Sequence, residues 1–173
     1  KPYMSGYSGN LFKPNQAMTR AEVTAVLARF VDGETTLIYF PFKDVKSDAW
    51  YQNDLQTLAN MKVISGYEDG RFMPNKSVTR AEFVSMLARL QGIDKAKAQA
   101  SFNDLKDAAW AKNAISIALE KGWVSGYKDN TFRPNQAVSR AEAAAILAKA
   151  YKLEKSGDKT FADVPQNHWA YQA

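Results

Sequence analysis

Apolar residues recur along this chain in two kinds of short stripe, and the two kinds alternate. After Trp50, the positions Leu55, Leu58 and Ala59, followed by Val63-Ile64, have the spacing of an amphipathic helix of about three turns. After Trp110, Ala114, Ile115, Ala118 and Leu119 repeat that stripe, and Gly122 is placed to cap the helix C-terminus. A second type of helix starts at Thr19, Thr79 or Ser139. It buries Val26-Leu27, Met86-Leu87 or Ile146-Leu147, and Ala28, Ala88 and Ala148 permit close helix contacts. Between the two types lie the turn dipeptides Gly9-Asn10, Asp69-Gly70 and Asp129-Asn130, which suit a tight loop or a short hairpin. Pro14, Pro74 and Pro134 are expected to hold the chain extended ahead of the second helix.

The alternation is an internal repeat, the first thing a fold assignment has to respect. Gly6-Tyr7, Gly66-Tyr67 and Gly126-Tyr127 stand 60 residues apart, and Phe12, Phe72 and Phe132 keep the step. Pro14-Asn15 and Arg20-Ala21-Glu22 recur in the same register. A second motif reads Phe42-Lys43-Asp44-Val45 with Trp50, then Phe102-Asn103-Asp104-Leu105 with Trp110, then Phe161-Ala162-Asp163-Val164 with Trp169. The last step is one residue shorter. The expected organisation is a C-terminal half-repeat over 1–31, whole repeats over 42–91 and 102–151, and the start of a further or displaced half-repeat over 161–173. The chain then reads as a piece of a longer protein. Of the linkers, Leu37-Ile38-Tyr39-Phe40-Pro41 is apolar enough to pack on the body, and Lys95-Ala96-Lys97-Ala98-Gln99 suits an exposed helix. One such unit buries too little surface to be stable alone. Neighbours must share a core, and three copies suit a closed pseudo-threefold bundle at least as readily as an open solenoid. The expected fold is mainly α, built of tandem helix-loop-helix repeats of about 60 residues.

Composition narrows the chemistry. There is no cysteine and one histidine, which removes disulfides, thiol nucleophiles and histidine-cluster metal sites and disfavours a Ser-His-Asp triad. No apolar run is long enough to span a membrane. The net charge of +5 is a mild preference for anionic partners, and its basic residues are dispersed without a groove-reading motif, against nucleic-acid binding. Lys1-Pro2-Tyr3 carries no signal-peptide pattern, as in a mature chain or an excised piece.

The start of the second helix holds the most specific chemistry. Thr19 with Glu22, Thr79 with Glu82 and Ser139 with Glu142 are capping boxes. Arg20, Arg80 and Arg140 follow the cap, where a cation gains nothing from the helix dipole. Arginine beside free helix amides suits a carboxylate or phosphate, whereas a salt bridge to Asp44, Asp104 or Asp163 would make it internal. Chemistry alone leaves both readings open. Trp50, Trp110 and Trp169 suit core packing, or stacking on a sugar face at a groove edge. Asp44, Asp104 and Asp163 suit a helix cap or an Asx turn. Gly6, Gly66 and Gly126 imply φ > 0 or a close backbone approach. His168 occurs outside the repeated positions and suits a surface role.

Taken together, Phe-x-Asp-Val…Trp, Gly-Tyr-x-Asp-Gly-x-Phe-x-Pro-Asn and Thr-Arg-Ala-Glu resemble the S-layer homology (SLH) domain, over nearly the whole chain outside the linkers. The resemblance implies a pseudo-threefold, mostly helical spindle with a central three-helix bundle. It also implies a monomeric, secreted, non-catalytic module without cofactors or metal, attaching a surface protein non-covalently to the bacterial cell wall. Its implied partner is a pyruvylated secondary cell-wall polysaccharide joined to peptidoglycan, bound in grooves between repeats. By the same resemblance Arg20, Arg80 and Arg140 meet the ketal carboxylate. Trp50, Trp110, Trp169, Asp44, Asp104, Asp163, Gly6, Gly66 and Gly126 are further candidates for glycan contact. Ser8-Gly9-Asn10 departs from the family pattern by lacking the usual loop acid. Two other functions remain as alternatives: a glycan-active enzyme using Asp44 with Glu82 or Asp104 with Glu142, and a purely structural protein-protein assembly module.

Overall fold

A computed structural model describes residues 3–32, 39–154 and 160–171. Five α-helices carry the regular structure: α1 (Arg20–Ala28), α2 (Gln52–Asn60), α3 (Arg80–Leu90), α4 (Lys112–Glu120) and α5 (Arg140–Ala150). A 3-10 helix, Leu105–Ala111, leads into α4. Among the described residues the only β pairing is isolated bridges, so the fold is mainly α.

All three capping boxes form. Thr19, Thr79 and Ser139 accept from the Glu22, Glu82 and Glu142 amides at 3.1–3.2 Å, and each glutamate Oε2 accepts from its N-cap amide at 2.9 Å. Seven of nine residues in α1 and eight of eleven in α3 are buried, the mark of helices enclosed on nearly all sides. α2 packs on α1, α4 on α3, and α1 also touches α3. No described helix covers α5 in the way α2 covers α1, and α5 buries only five of its eleven residues. At the end of α4, Gly122 adopts φ 70° and the Trp123 amide returns to the Ala118 carbonyl at 2.9 Å, as expected. Lys62 takes the same left-handed position after α2, with φ 59°.

The repeats close on one another through their backbones. Val78 N donates to Met18 O, Val138 N to Val78 O, and Met18 N to Val138 O, at 2.9–3.1 Å. All three side chains are fully buried. Two residues on, Arg20 N donates to Lys76 O, Arg80 N to Gln136 O and Arg140 N to Gln16 O, at 2.8–2.9 Å. Ala21, Ala81 and Ala141 donate to the Pro74, Pro134 and Pro14 carbonyls, each at 3.0 Å. Each set is cyclic, the last repeat bonding back to the first, which a closed threefold arrangement requires and an open solenoid lacks.

Several local expectations are corrected. The residues before the three prolines are not extended: Lys13, Met73 and Arg133 have φ of 57–59°. The segment around 95–99 is not a helix. Its Ala96 is buried, and the Ala96, Lys97 and Ala100 amides donate to Asn113, Glu120 and Ser116 along one face of α4. A helix there would have spent those amides internally. Of the first linker, Leu37 and Ile38 lie outside the described residues. Tyr39 and Phe40 stay exposed, at 62% and 38%, and only the Phe40 backbone is tied down, by two bonds with the Gln56 amide.

The segment 160–171 packs on the first half-repeat as 42–44 packs on 66–73. Phe161 lies against Gly6 and Phe12, and Ala162 N donates to Asn10 O at 2.9 Å. In the second repeat the corresponding contacts are Phe42 on Gly66 and Phe72, and Lys43 N to Gly70 O at 3.0 Å.

Candidate inter-repeat glycan site

Each loop is built around a glycine and an aspartate of different motifs. Gly6, Gly66 and Gly126 do not have positive φ; their requirement is a close approach. A Cβ on Gly66 would sit 2.6 Å from the Phe42 ring and 2.9 Å from the Arg71 carbonyl, and Gly6 and Gly126 meet Phe161 and Phe102 in the same way. Asp44, Asp104 and Asp163 neither cap the following helix nor form local Asx turns. Asp44 accepts from the Phe72 and Met73 amides at 2.7 and 2.8 Å, and Asp104 from those of Phe132 and Arg133 at 2.9 and 2.8 Å. Asp163 accepts from Phe12 and Lys13, both at 2.7 Å. The Phe12 amide bond above all holds the Asp163 carboxyl below the ordinary range; burial opposes it, and the Lys13 amide and, less, Arg140 add to the lowering. One carboxylate thus clamps two consecutive amides and holds the left-handed residue ahead of each proline.

The three arginines are buried, at 5–6% exposure. Their internal partners are mostly carbonyls, not the three aspartates. Arg20 donates from Nε to Phe72 O at 2.7 Å and from Nη2 to Ser65 O at 2.8 Å, with its guanidinium 5.0 Å from the Tyr67 ring and 4.8 Å from the Phe72 ring. Arg140 makes the same pattern with Phe12 O, Ser5 O, Tyr7 and Phe12. Arg80 donates from Nε to Phe132 O at 3.0 Å but turns Nη1 to Glu142 Oε1 at 2.9 Å. Nor are the helix amides beside them free. The first two of each helix bond the next repeat's carbonyls and the third bonds the cap hydroxyl, so no anion site exists on bare helix amides. Around Arg140, burial raises the Tyr7 phenol, Arg140 opposes this, and Glu22 adds to it.

Two clefts open beside these arginines. The first, of about 170 Å³, is lined by Arg20, by the loop 63–67, by Glu82, Ser85, Met86 and Arg89 of α3, and by Trp110. The second, of about 280 Å³, has Arg80, the loop 123–127, Glu142, Ala145, Ile146 and Lys149 of α5, and Trp169. The helix residues are i, i+3, i+4 and i+7, one face of a helix. The structure therefore brings together Arg20, Gly66 and Trp110, and Arg80, Gly126 and Trp169, each set drawn from three different repeat segments. The tryptophans are not core residues: Trp50, Trp110 and Trp169 are 68%, 61% and 63% exposed. Trp50 stands edge-on to Tyr51 at 5.2 Å and lines neither of these two clefts. His168 is half-buried, accepts from Ala170 N at 3.2 Å and stacks on Trp169. The aspartates line neither cleft; they shape the loops from behind.

Sequence reasoning passed over Tyr67 and Tyr127 and the basic residues Arg89 and Lys149. A signal existed for each. Tyr7, Tyr67 and Tyr127 share the 60-residue register, and so do Arg29, Arg89 and Lys149.

A family model for the S-layer homology domain matches residues 3–24, 41–84 and 101–144. A cellulosome-anchoring protein of Acetivibrio thermocellus is 34% identical over 99% of this chain and 40% of its own length. A surface-layer 125 kDa protein of Lysinibacillus sphaericus is 34% identical over 68% of the chain and 10% of its own length. An amylopullulanase of Thermoanaerobacterium thermosulfurigenes is 37% identical over 70% of the chain but 7% of its own length. The chain therefore spans less than half of each of these relatives.

Proposed function

The chain belongs to the S-layer homology family, and from that premise we propose that it is a non-catalytic anchor, holding a secreted bacterial surface protein to the cell wall without a covalent bond. The relatives named for cellulosome anchoring and for surface layers support this reading. The ligand is an anionic wall glycan, a pyruvylated secondary cell-wall polysaccharide joined to peptidoglycan, seated in the clefts between repeats. The observation that carries the reading is the convergence of a guanidinium, a loop glycine and an exposed indole from three segments in each cleft. An indole of that exposure offers a flat apolar face to a sugar ring. The Nη1 atom of Arg20, in the first cleft, makes no hydrogen bond among the described residues and is available to a ketal carboxylate.

The enzyme alternative loses ground on the same contacts. Asp44 and Asp104 each bind two amides, and Glu82 and Glu142 each cap a helix. Residues so committed are poorly placed to exchange protons with a substrate.

The test is sedimentation with purified walls before and after mild acid removal of the pyruvate ketal. Strong binding to intact walls and weak binding to treated walls are expected. Undiminished binding after treatment would sink the carboxylate mechanism, and no binding to intact walls would sink the anchor.

A further inference from the structure

In each described cleft the buried arginine is largely used by the protein itself. The second cleft makes this plainest, because Arg80 is paired with Glu142 at 2.9 Å and both side chains are mostly buried. That pair leaves the cleft floor near neutral. One other cation lines the same cleft: Lys149, exposed, at the last turn of α5, with no hydrogen bond or carboxylate partner among the described residues. The first cleft holds Arg89 in the same place, seven residues after Glu82 on α3. Its one internal contact is a long 3.4 Å bond to Val63 O, and no carboxylate pairs with it.

A bland explanation is available, since a cation in the last turn of a helix complements the dipole. It does not account for the direction of the side chains. Arg89 and Lys149 share a helix face with Glu82, Ser85 and Met86, or with Glu142, Ala145 and Ile146, and that face is a cleft wall. It also does not account for the charge balance. Each cleft is lined by two cations and one carboxylate, Arg20, Arg89 and Glu82 in the first and Arg80, Lys149 and Glu142 in the second, so without the rim residue its side-chain charges would sum to zero.

Resting on the anchoring reading, we propose that Arg89 and Lys149 are a second cation in each cleft that holds the carboxylate of the wall glycan from the rim, beside Arg20 and Arg80, whose remaining donors bracket neighbouring repeats. The two clefts then differ in kind. Arg89 offers a planar fork that accepts a carboxylate at two points, and Lys149 a single compact charge. The glycan ring lies between the rim cation and the exposed indole, over the loop glycine.

The experiment measures binding of purified pyruvylated wall polysaccharide to the wild type, to Arg89→Gln/Lys149→Gln, to Arg89→Lys/Lys149→Arg and to Trp110→Ala/Trp169→Ala. Two clefts are changed at once because occupied clefts on one polymer reinforce each other. The glutamine pair is expected to bind at least tenfold more weakly at low salt, with an unchanged melting curve, and to lose most of the wild type's salt dependence. The charge-preserving pair should recover most of the affinity. Wild-type binding with the glutamine pair unimpaired overturns the assignment. If the tryptophan pair is then weakened, the anchoring reading stands without it. If the wild type does not bind at all, the anchoring reading itself fails. A lowered melting point in the glutamine pair that the charge-preserving pair restores, with weaker binding only in step with that loss of stability, overturns the assignment in favour of a dipole role.

Discussion

The loop ahead of each second helix depends on single atoms. In the third loop, Asp104 Oδ1 and Oδ2 accept from Phe132 and Arg133, and Arg133 sits at φ 59° immediately before Pro134. A non-glycine residue with that φ needs outside support. Asp104→Asn sets an amide NH₂ against one of the two backbone donors and leaves it unpaired. The expected cost is about 1–3 kcal/mol, read as a lower urea midpoint with an unchanged slope. Gly126→Ala acts on the other side of the same loop by pushing the Phe102 ring out of its seat, and overpacking of this kind costs about 1–3 kcal/mol. A destabilisation of Gly126→Ala as small as that of an ordinary surface change would contradict the close-approach explanation. The need for Gly here was legible in the 60-residue register; its cause was not, because Phe102 reaches it from another motif.

At the scale of elements, the capping boxes were fully legible. Thr or Ser followed three residues later by Glu is a local code, and its two bonds form within one turn. The helices nevertheless differ in support. α3 is covered by α4, while no described helix covers α5. Ser139→Ala and Thr79→Ala should each cost about 1 kcal/mol. Amide exchange should separate them, because the first turn of α5 has less packing to hold it once the cap is gone. Faster exchange is expected at Ala143 in the Ser139 variant than at Phe83 in the Thr79 variant, and equal rates would contradict the unequal cover. The error over 95–99 has the opposite origin. An Ala- and Lys-rich run favours helix on its own, but acceptors at Asn113, Ser116 and Glu120 draw its amides out.

The whole molecule is held as a ring by cyclic backbone bonds and by the contact of 160–171 with the first half-repeat. That contact has a pH dependence whose sign follows from Asp163. Its folded carboxyl titrates below the unfolded value, so the stabilisation is complete above the unfolded pKa and is lost as pH falls through the folded one. Loosening is expected only below about pH 4, where carboxylates protonate. Exchange at the Phe12 and Lys13 amides and Trp169 fluorescence should report it first. Asp163→Asn should weaken the contact at neutral pH and remove the acid-dependent step; a step that survives in that variant would assign it to another group.

What the sequence determined by itself is whatever one segment encodes alone: the helix stripes, the caps, the turn dipeptides and the 60-residue register that places Arg, Gly and Trp at equivalent positions. The tertiary structure decided the rest, because the partners lie in other repeats. It spent the helix amides on neighbouring carbonyls, turned the aspartates into clamps on distant loops, and left Trp110 and Trp169 exposed at cleft edges. It also turned one face of α3 and of α5 into cleft walls, each with a basic residue at its rim. Local sequence sets what each segment can offer, and packing geometry decides which of those groups the protein keeps for itself and which it leaves to a ligand.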